Sequence, residues 1–361
     1  FKELGGWDEM MRVCGAVTVN DYGDTMTNLI RSNDDANFPW LGALIGSAII
    51  GFWYWCTDQF IVQRVLSGKN EMEARRGTIF GAYLKLLPVF LFLIPGMIAF
   101  ALHQKYIGAG GEGFLPMLAN GTANADAAFP TLVAKLLPAG VKGLVVCGIL
   151  AALMSSLASL FNSSAMLFTI DFYKRFRPQT SEKKLVGIGQ VATVVIVILG
   201  ILWIPIMRSV GDVLYTYLQD VQSVLAPGIA AAFLLGICWK RTSAQGGMWG
   251  LISGMVIGLT RLGAKVYYSN AGEVADSTFK YLFYDMNWLF FCGWMFLFCI
   301  IVVIVVSLAT EAPTAEKIQG LVFGTATKEQ KASTRASWNH WDIIHTVIIL
   351  AITGAFYWYF W

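Results

Sequence analysis

A row of hydroxyl groups interrupts an apolar stretch near the middle of the chain. Residues 151–165, AALMSSLASLFNSSA, carry five serines and one asparagine among alanines, leucines and a methionine. On a helix, positions spaced i, i+3, i+4 and i+7 share one face. Small hydroxyls on such a face favour either close helix–helix packing in a membrane or a site for a hard cation such as Na⁺, which takes uncharged oxygen ligands. The residues aligned on this face are Ala152, Ser155, Ser156, Ser159, Asn162 and Ser163.

A second unusual stretch combines glycines with consecutive aromatic residues. Residues 46–64, GSAIIGFWYWCTDQFIVQR, place three aromatics at 53–55, followed by a carboxylate and an amide that remain within the apolar register. Aromatics at a span end are typical of an interfacial belt, whereas flat rings that carry an N–H or O–H also suit stacking on a sugar. Gly46 and Gly51 permit a break in the helix, and broken helices at the midplane build sites in secondary transporters.

Two further spans carry polar side chains at membrane depth, where such groups mark transport pathways by default. Lys85 lies among leucines, so its amine either reaches the interface along its own methylenes or donates to a ligand in a wet cavity. Gln219, Asp220 and Gln222 lie together in another span. An amide donates and accepts hydrogen bonds, which suits a hydroxyl-rich ligand as well as an interhelical bond. The sequence predicts Lys85 to be the only charged base at depth.

The elements that hold these residues are membrane spans. The 361 residues are 56% hydrophobic and only 14% charged, whereas soluble domains are nearer a quarter charged. About 20 apolar residues cross a bilayer. A net charge of +3 gives no reason to expect a nucleic-acid partner. The predicted spans are roughly 40–63, 78–102, 139–171, 185–207, 213–238, 246–265, 287–308 and 343–361.

Positive charge is distributed asymmetrically between the connecting loops. Lysines and arginines are concentrated in four of them: 64–76, 174–184, 240–241 and 310–341. By the positive-inside rule these four loops are cytoplasmic, which predicts that both ends of the chain face outward.

Several stretches resemble the sodium/solute symporter family, and most closely its sodium/glucose cotransporter branch. The likeness runs from about residue 5 to the last span. The matching stretches are WYWCTDQFIVQR (53–64), GAYLKLLP (81–88), NADAAFPTLV (124–133), AALMSSLASLFNSSA (151–165), FTIDFYKR (168–175) and PGIAAAFLLGICWKRT (227–242).

The resemblance implies an all-α integral membrane protein with the LeuT-like inverted-repeat fold. Residues 1–38 would form an extracellular loop, 39–238 the second five-helix repeat (core helices 6–10), and 239–361 three C-terminal transmembrane helices with a cytoplasmic loop at 310–341. The expected location is a cell membrane, plasma or inner, crossed many times. The family's ion and sugar sites also draw partners from its first core helix, so the missing N-terminal helices of the same protein are an expected partner, as is the lipid bilayer.

The resemblance also implies which residues bind ligands. The family's Na2 sodium site falls on the carbonyl of Ala152 and the hydroxyls of Ser155 and Ser156, and Ser159 matches a ligand of a further Na⁺ seen in some members. The sugar contacts fall on Trp53, Tyr54, Trp55, Lys85 and Gln219, with Tyr54 as the inner gate. Gly51 stands where relatives place Asn or Thr against the substrate.

The expected function is sodium-coupled symport of a glucose- or galactose-like sugar by alternating access. Another solute, such as myo-inositol, sialic acid or an amino acid, is the alternative. A serine hydrolase within the membrane is a distant one, because no Gly-x-Ser-x-Gly or Gly-x-Gly-Asp motif accompanies the serines. We therefore expect a transporter and not an enzyme.

Overall fold

In a computed structural model the protein is helical, with 76% of the described residues in helices. Residues 3–118, 121–210, 214–270 and 275–361 are described by the structure. Across those ranges there is no β-strand, only isolated bridges such as the one between Thr18 and Thr25. The predicted all-α fold class is confirmed.

Sixteen α-helices are found in the described ranges, several of them joined by π-helical turns. The first five are α1 Trp7–Gly15, α2 Trp40–Phe52, α3 Gln59–Leu66, α4 Glu71–Pro88 and α5 Ile94–Gly108. The next four are α6 Ala128–Leu136, α7 Ala139–Met166, α8 Lys174–Phe176 and α9 Glu182–Val210. The last seven are α10 Leu214–Cys238, α11 Ala244–Asn270, α12 Thr278–Lys280, α13 Trp288–Ala309, α14 Ala315–Ile318, α15 Lys328–Ala336 and α16 His340–Tyr359. The π-helical turns are π1 Trp53–Thr57, π2 Val89–Leu93, π3 Leu167–Tyr173 and π4 Tyr281–Asp285.

Seven helical runs in the described residues are long and apolar enough to cross a membrane, one fewer than the eight predicted. They are Trp40–Thr57, Glu71–Gly108, Ala139–Phe176, Glu182–Pro205, Leu214–Cys238, Trp288–Ala309 and His340–Tyr359. The remaining prediction, 246–265, lies in α11, which is long enough but too polar to count as a span. Six glycines, Arg261 and Lys265 lower its hydropathy. Residue 213, where the fifth predicted span begins, lies outside the described residues.

The chain divides into two compact units, and each is described by itself. The first comprises Phe1–Phe114 and Leu214–Trp361, and the second comprises Leu115–Val213. In the first unit, α10, α11 and α13 pack against one another, and α2 packs against α10 and α13. The predicted division at residue 238 stays a prediction, although α10 lies before it and its partners α11 and α13 lie after it.

Small residues let the helices of the first unit approach closely, as is typical of membrane helices. Ala226, Ala230 and Ala231 of α10 have no exposed surface. A Cβ added to Gly228 would lie 3.3 Å from the Cα of Gly254, so α10 and α11 meet there backbone to backbone. In the same way, a Cβ on Gly46 of α2 would lie 2.9 Å from the carbonyl oxygen of Leu289.

The second unit is built around α7, which packs against α6, α9 and π3. None of the residues in the most apolar 18-residue window of this helix is buried in the chain. Its buried residues are Ser163 and Ala165, close to its C-terminal end. The long apolar surface of α7 therefore remains open in this chain.

Candidate functional site

The aromatic residues 53–55 belong to π1, which follows α2 without a gap. The carbonyl oxygen of Trp53 accepts hydrogen bonds from the Thr57 hydroxyl at 2.7 Å and from the Asp58 amide at 3.0 Å. Asp58 then turns extended, with φ −72° and ψ 118°, and its carboxylate accepts from the Phe60 amide to cap α3. The helix break predicted at Gly46 and Gly51 was thus placed too early, because both glycines lie inside continuous α2.

Lys85 of α4 lies beside two of these rings. Its Nζ is 5.9 Å from the ring centroid of Tyr54 and 5.5 Å from that of Trp55. The two rings meet edge to face, with centroids 5.3 Å apart and planes at 90°. A cation within about 6 Å of an aromatic face is attracted by the ring quadrupole. The structure therefore brings together three of the residues to which the sugar site was assigned, and Lys85 points its amine at the rings.

Trp53 has a different environment from its two neighbours. It is partly buried and packs against a core cluster formed by α2, α10 and α13, which includes Ile49, Ala226 and Trp288. Trp55, by contrast, is 44% exposed. Packing thus anchors the first ring in the scaffold and leaves the third ring free to contact a ligand.

Gln219 lies on α10, in the same unit, and is half-buried. Its Nε2 donates to the hydroxyl oxygen of Tyr215, one turn earlier, at 2.9 Å. The turn π1 that carries the aromatic residues packs against α10. All five residues assigned to the sugar site thus lie in one compact unit, on π1, α4 and α10. The turn π1 contacts α10, and Lys85 of α4 reaches the rings of π1.

The residues assigned to sodium all lie on α7, in the second unit. Ala152, Ser155 and Ser156 are exposed in this chain, and Ser159 is half-buried. The carbonyl oxygen of Ser159 accepts from the Ser163 hydroxyl at 2.8 Å. Within the described residues, no hydrogen bond engages the hydroxyls of Ser155 and Ser156. These hydroxyls therefore lie on one accessible helix face, as the i, i+3, i+4 spacing predicts.

Arg261 shows that Lys85 is not the only charged base in the predicted spans. It lies within the predicted span 246–265 and its side chain is fully buried. Its Nη2 lies 3.4 Å from Oδ1 of Asp220, whereas Nζ of Lys265 lies 2.6 Å from Oδ2 of the same carboxylate. The sequence contained a signal for this pairing: Asp220 lies in one predicted span, and Arg261 and Lys265 lie in another. Opposite charges at membrane depth are expected to pair.

A family model and several known proteins match the part of the chain that carries these residues. A family model described as the sodium:solute symporter family matches residues 1–254. The chain is 35% identical to a sodium/mannose cotransporter of Bos taurus over all of its length and 64% of the relative's. It is 39% identical to sodium/myo-inositol cotransporter 2 of Homo sapiens and 37% identical to sodium/glucose cotransporter 4 of Mus musculus.

The two latter matches cover 82% of this chain and 44% of each relative, so the chain spans from under half to about two thirds of these relatives' length. The family match alone covers well over half of the chain. It includes the turn π1, Lys85, the serines of α7 and Gln219. The chain is a multi-pass membrane protein that belongs to the sodium:solute symporter family.

Proposed function

We propose that this protein carries out sodium-coupled symport of a sugar or a cyclic polyol across a cell membrane by alternating access. The observation that carries the proposal is the convergence of Lys85 of α4 with the rings of Tyr54 and Trp55 on π1, a turn that packs against α10. The names of the relatives support the cargo, because they are cotransporters of sodium with mannose, myo-inositol or glucose. Transport requires these residues to bind and release the solute, and unlike catalysis it involves no chemical reaction.

The sugar site of this proposal is chemically suited to a ring that bears several hydroxyls. The faces of Tyr54 and Trp55 can stack on C–H groups. The ammonium of Lys85 donates hydrogen bonds, and the amide of Gln219 both donates and accepts them. Trp53, which packs against the core, supports the rings of Tyr54 and Trp55, and Tyr54 acts as the inner gate.

The sodium site of this proposal consists of the carbonyl oxygen of Ala152 and the hydroxyls of Ser155 and Ser156, with Ser159 for a second ion. Neutral oxygen ligands suit a hard monovalent cation that must also leave. The proposal is supported by the spacing that places these residues on one face of α7 and by the family to which the chain belongs. Exposure does not distinguish this face, because Leu153 and Met154 on other faces of α7 are exposed as well. Further ligands come from segments packed on that face in the complete protein.

Coupling follows if Na⁺ binds one conformation more tightly than the other, because an ion with equal affinity for both would shift nothing. Sodium bound at Ser155 and Ser156 holds α7 in the outward-open arrangement that admits the sugar. Loss of the ion to the cytoplasm then releases the gate at Tyr54.

Myo-inositol is the second candidate substrate, because the human relative at 39% identity is named for it. A cyclic polyol presents hydroxyls around its ring as a hexose does, so the same aromatic and amide contacts serve both. The positive charge of Lys85 also suits a solute that carries a carboxylate, such as sialic acid or an amino acid.

The decisive experiment is uptake by the full-length protein in liposomes. Radiolabelled D-glucose, D-mannose, myo-inositol, sialic acid and an amino acid are offered with an inward sodium gradient and with potassium in its place. We expect sodium-dependent accumulation of at least one of the three neutral solutes above the equilibrium level. Accumulation of none of them, by protein shown to be folded, would overturn the proposal.

A further inference from the structure

A buried cluster of charges lies beside the proposed sugar site and has no part in the function derived so far. It consists of Arg261 and Lys265 of α11 with Asp220 of α10, the residue that directly follows Gln219. The side chain of Arg261 is fully buried, that of Asp220 is 14% exposed and that of Lys265 is 23% exposed. A buried charge is costly unless it is paired and hydrogen-bonded, so this cluster needs an explanation.

Arg261 joins four elements through one guanidinium group. Its Nη2 contacts Oδ1 of Asp220 on α10 at 3.4 Å and donates to the carbonyl oxygen of Met286 at 2.8 Å. Its Nη1 reaches the carbonyl oxygen of Leu282 in π4 at 3.4 Å. The guanidinium carbon lies 4.0 Å from the ring centroid of Phe291 on α13. A planar fork with donors in several directions suits this role, which an ammonium group cannot fill.

The two halves of α10 are held in different ways. Its C-terminal half is fixed by the close approach of Gly228 to Gly254 of α11 and by the packing of buried alanines in clusters with α2 and α13. Pro227 begins that half and has no N–H, so the helical hydrogen bond to residue 223 is missing. The Ser223 hydroxyl also bonds the Asp220 carbonyl oxygen at 2.6 Å. The N-terminal half exposes Leu214, Tyr215 and Leu218 and buries Tyr217 and Val224 on its other side. Asp220 lies toward that buried side, where its ion pairs add directional contacts that fix the rotation of this half.

We propose that Arg261 is a positioning residue for substrate binding: by clamping Asp220 it fixes the rotation of the N-terminal half of α10 and so aims the amide of Gln219. This inference rests on the proposed function. Successive helix positions differ by about 100°, and a binding group must be held within roughly 10–20° of its productive direction. A rotation that breaks the Asp220 pair carries Gln219 out of that range.

The test measures the sugar concentration for half-maximal uptake in the full-length protein at saturating sodium, using whichever of radiolabelled D-glucose, D-mannose and myo-inositol the wild type transports. Arg261→Gln and Asp220→Asn are expected to raise that concentration by about tenfold or more, as the loss of one good contact does. The sodium concentration for half-maximal uptake is expected to change by less than about twofold, because the sodium residues lie on another helix. Arg261→Lys keeps the charge but loses the fork, and should recover part of the affinity.

Two matched controls separate positioning from general stability. Lys265→Gln removes the closer cation, at 2.6 Å, from the same carboxylate. A smaller effect is expected because only Arg261 also ties Asp220 to π4, Met286 and α13. Among the described residues, Arg241 donates to backbone carbonyls alone, at Leu308 and Thr310. Arg241→Gln should lower the amount of folded protein without changing the sugar affinity of the protein that remains.

A double variant distinguishes positioning of Gln219 from a general structural role of Arg261. If Arg261 acts through Gln219, then adding Arg261→Gln to Gln219→Ala should raise the half-maximal sugar concentration by less than about twofold more, because the coupled effects are not additive. Effects that multiply, or an Arg261→Gln protein with wild-type sugar affinity, would overturn the positioning role while the proposed function stands. No sodium-dependent uptake of any of the three probes by the wild type would overturn the proposed function, and the positioning role with it.

Discussion

The helices α10 and α7 are both long and apolar, yet they are held in opposite ways. In the most apolar window of α10, 39% of the residues are buried within the chain, whereas in that of α7 none is. The first helix meets α11 and α13 through alanine and glycine, and it carries the buried ion pairs of Asp220. The second packs mainly against α9 through its C-terminal part and presents a row of serine hydroxyls on an open face.

This difference separates a packed scaffold from a helix that is largely exposed along its apolar length. Helices in a membrane gain little from the hydrophobic effect between themselves and depend on close van der Waals packing. The block of α2, α10, α11 and α13 has such packing, so it can hold Trp53 and Gln219, two of the proposed sugar contacts, in place. An open face on α7 suits an ion site that is completed and released as other segments approach and withdraw.

The largest expected effect comes from filling a close approach in the scaffold. A Cβ added to Gly258 of α11 would lie 2.4 Å from the carbonyl oxygen of Val224 on α10. Because backbone cannot move aside as a side chain does, Gly258→Ala is expected to destabilise the protein by about 3 kcal/mol or more, at the upper end of overpacking effects. The yield of monodisperse protein and its thermal unfolding midpoint in detergent measure this.

Two further glycine-to-alanine substitutions sharpen the comparison. Nothing lies within 4 Å of a Cβ built on Gly263 of α11 or on Gly148 of α7. Alanine at these helical positions should leave stability unchanged or raise it by up to about 1 kcal/mol. Damage from Gly148→Ala equal to that from Gly258→Ala would contradict the open face of α7.

The next effect is on sugar affinity. Lys85→Ala removes the cation from two rings, and Gln219→Ala removes the amide from α10. Each should raise the half-maximal sugar concentration by about tenfold, the equivalent of a contact of about 1.4 kcal/mol. Folded yield should be preserved, because Lys85 is exposed and Gln219 half-buried. Unaltered affinity in both variants would move the sugar site away from these residues.

The smallest effect concerns the loop before α2, where Asp35 is buried. Burial raises the pKa of Asp35, but hydrogen bonds from the amides of Phe38 and Asn37, with Asn20 and Arg31, outweigh it and hold that pKa below its usual range. A lowered pKa stabilises the fold above the unfolded-state value of about 3.9, and this contribution is lost as the pH falls through the lowered value.

Asp35→Asn should therefore lower the unfolding midpoint at pH 7 by roughly 2–4 °C, the equivalent of about 1 kcal/mol. The gap between the variant and the wild type should close as the pH falls below the unfolded-state value and through the lowered pKa of Asp35. Asp34, the exposed neighbour, supplies the control Asp34→Asn, for which no change is expected. A gap that persists undiminished at low pH would show that the carboxylate charge has no part in holding the loop.

Much of the fold follows from the sequence because apolar length is a strong signal. The span predicted at 287–308 is helix Trp288–Ala309, and the span predicted from 139 begins at Ala139. The π-helical turns could not be predicted, since one extra residue in a turn leaves no mark on composition. The helix break was predicted in the wrong place for a related reason. Glycine permits a break in a helix, but Gly46 instead lets α2 pack closely against Leu289 of α13.

The candidate site was less predictable than the fold. Convergence of Lys85 with Tyr54 and Trp55 depends on the widened turn π1 and on the packing around it, which no local pattern encodes. Arg261 was missed because averaging hydropathy over a span conceals one charge, although Asp220 in another predicted span indicated a partner. The sodium residues remain a prediction from their spacing and from the family resemblance.

The central claim, that the open serine face of α7 captures the coupling ion, is tested most directly by the sodium dependence of uptake in Ser156→Ala. With sugar saturating, this variant of the full-length protein should need about tenfold more sodium for half-maximal uptake. The control is Ser163→Ala, because the wild-type Ser163 hydroxyl already bonds the Ser159 carbonyl. This variant should keep the wild-type sodium dependence. A wild-type sodium requirement in Ser156→Ala, with uptake otherwise intact, would contradict the account.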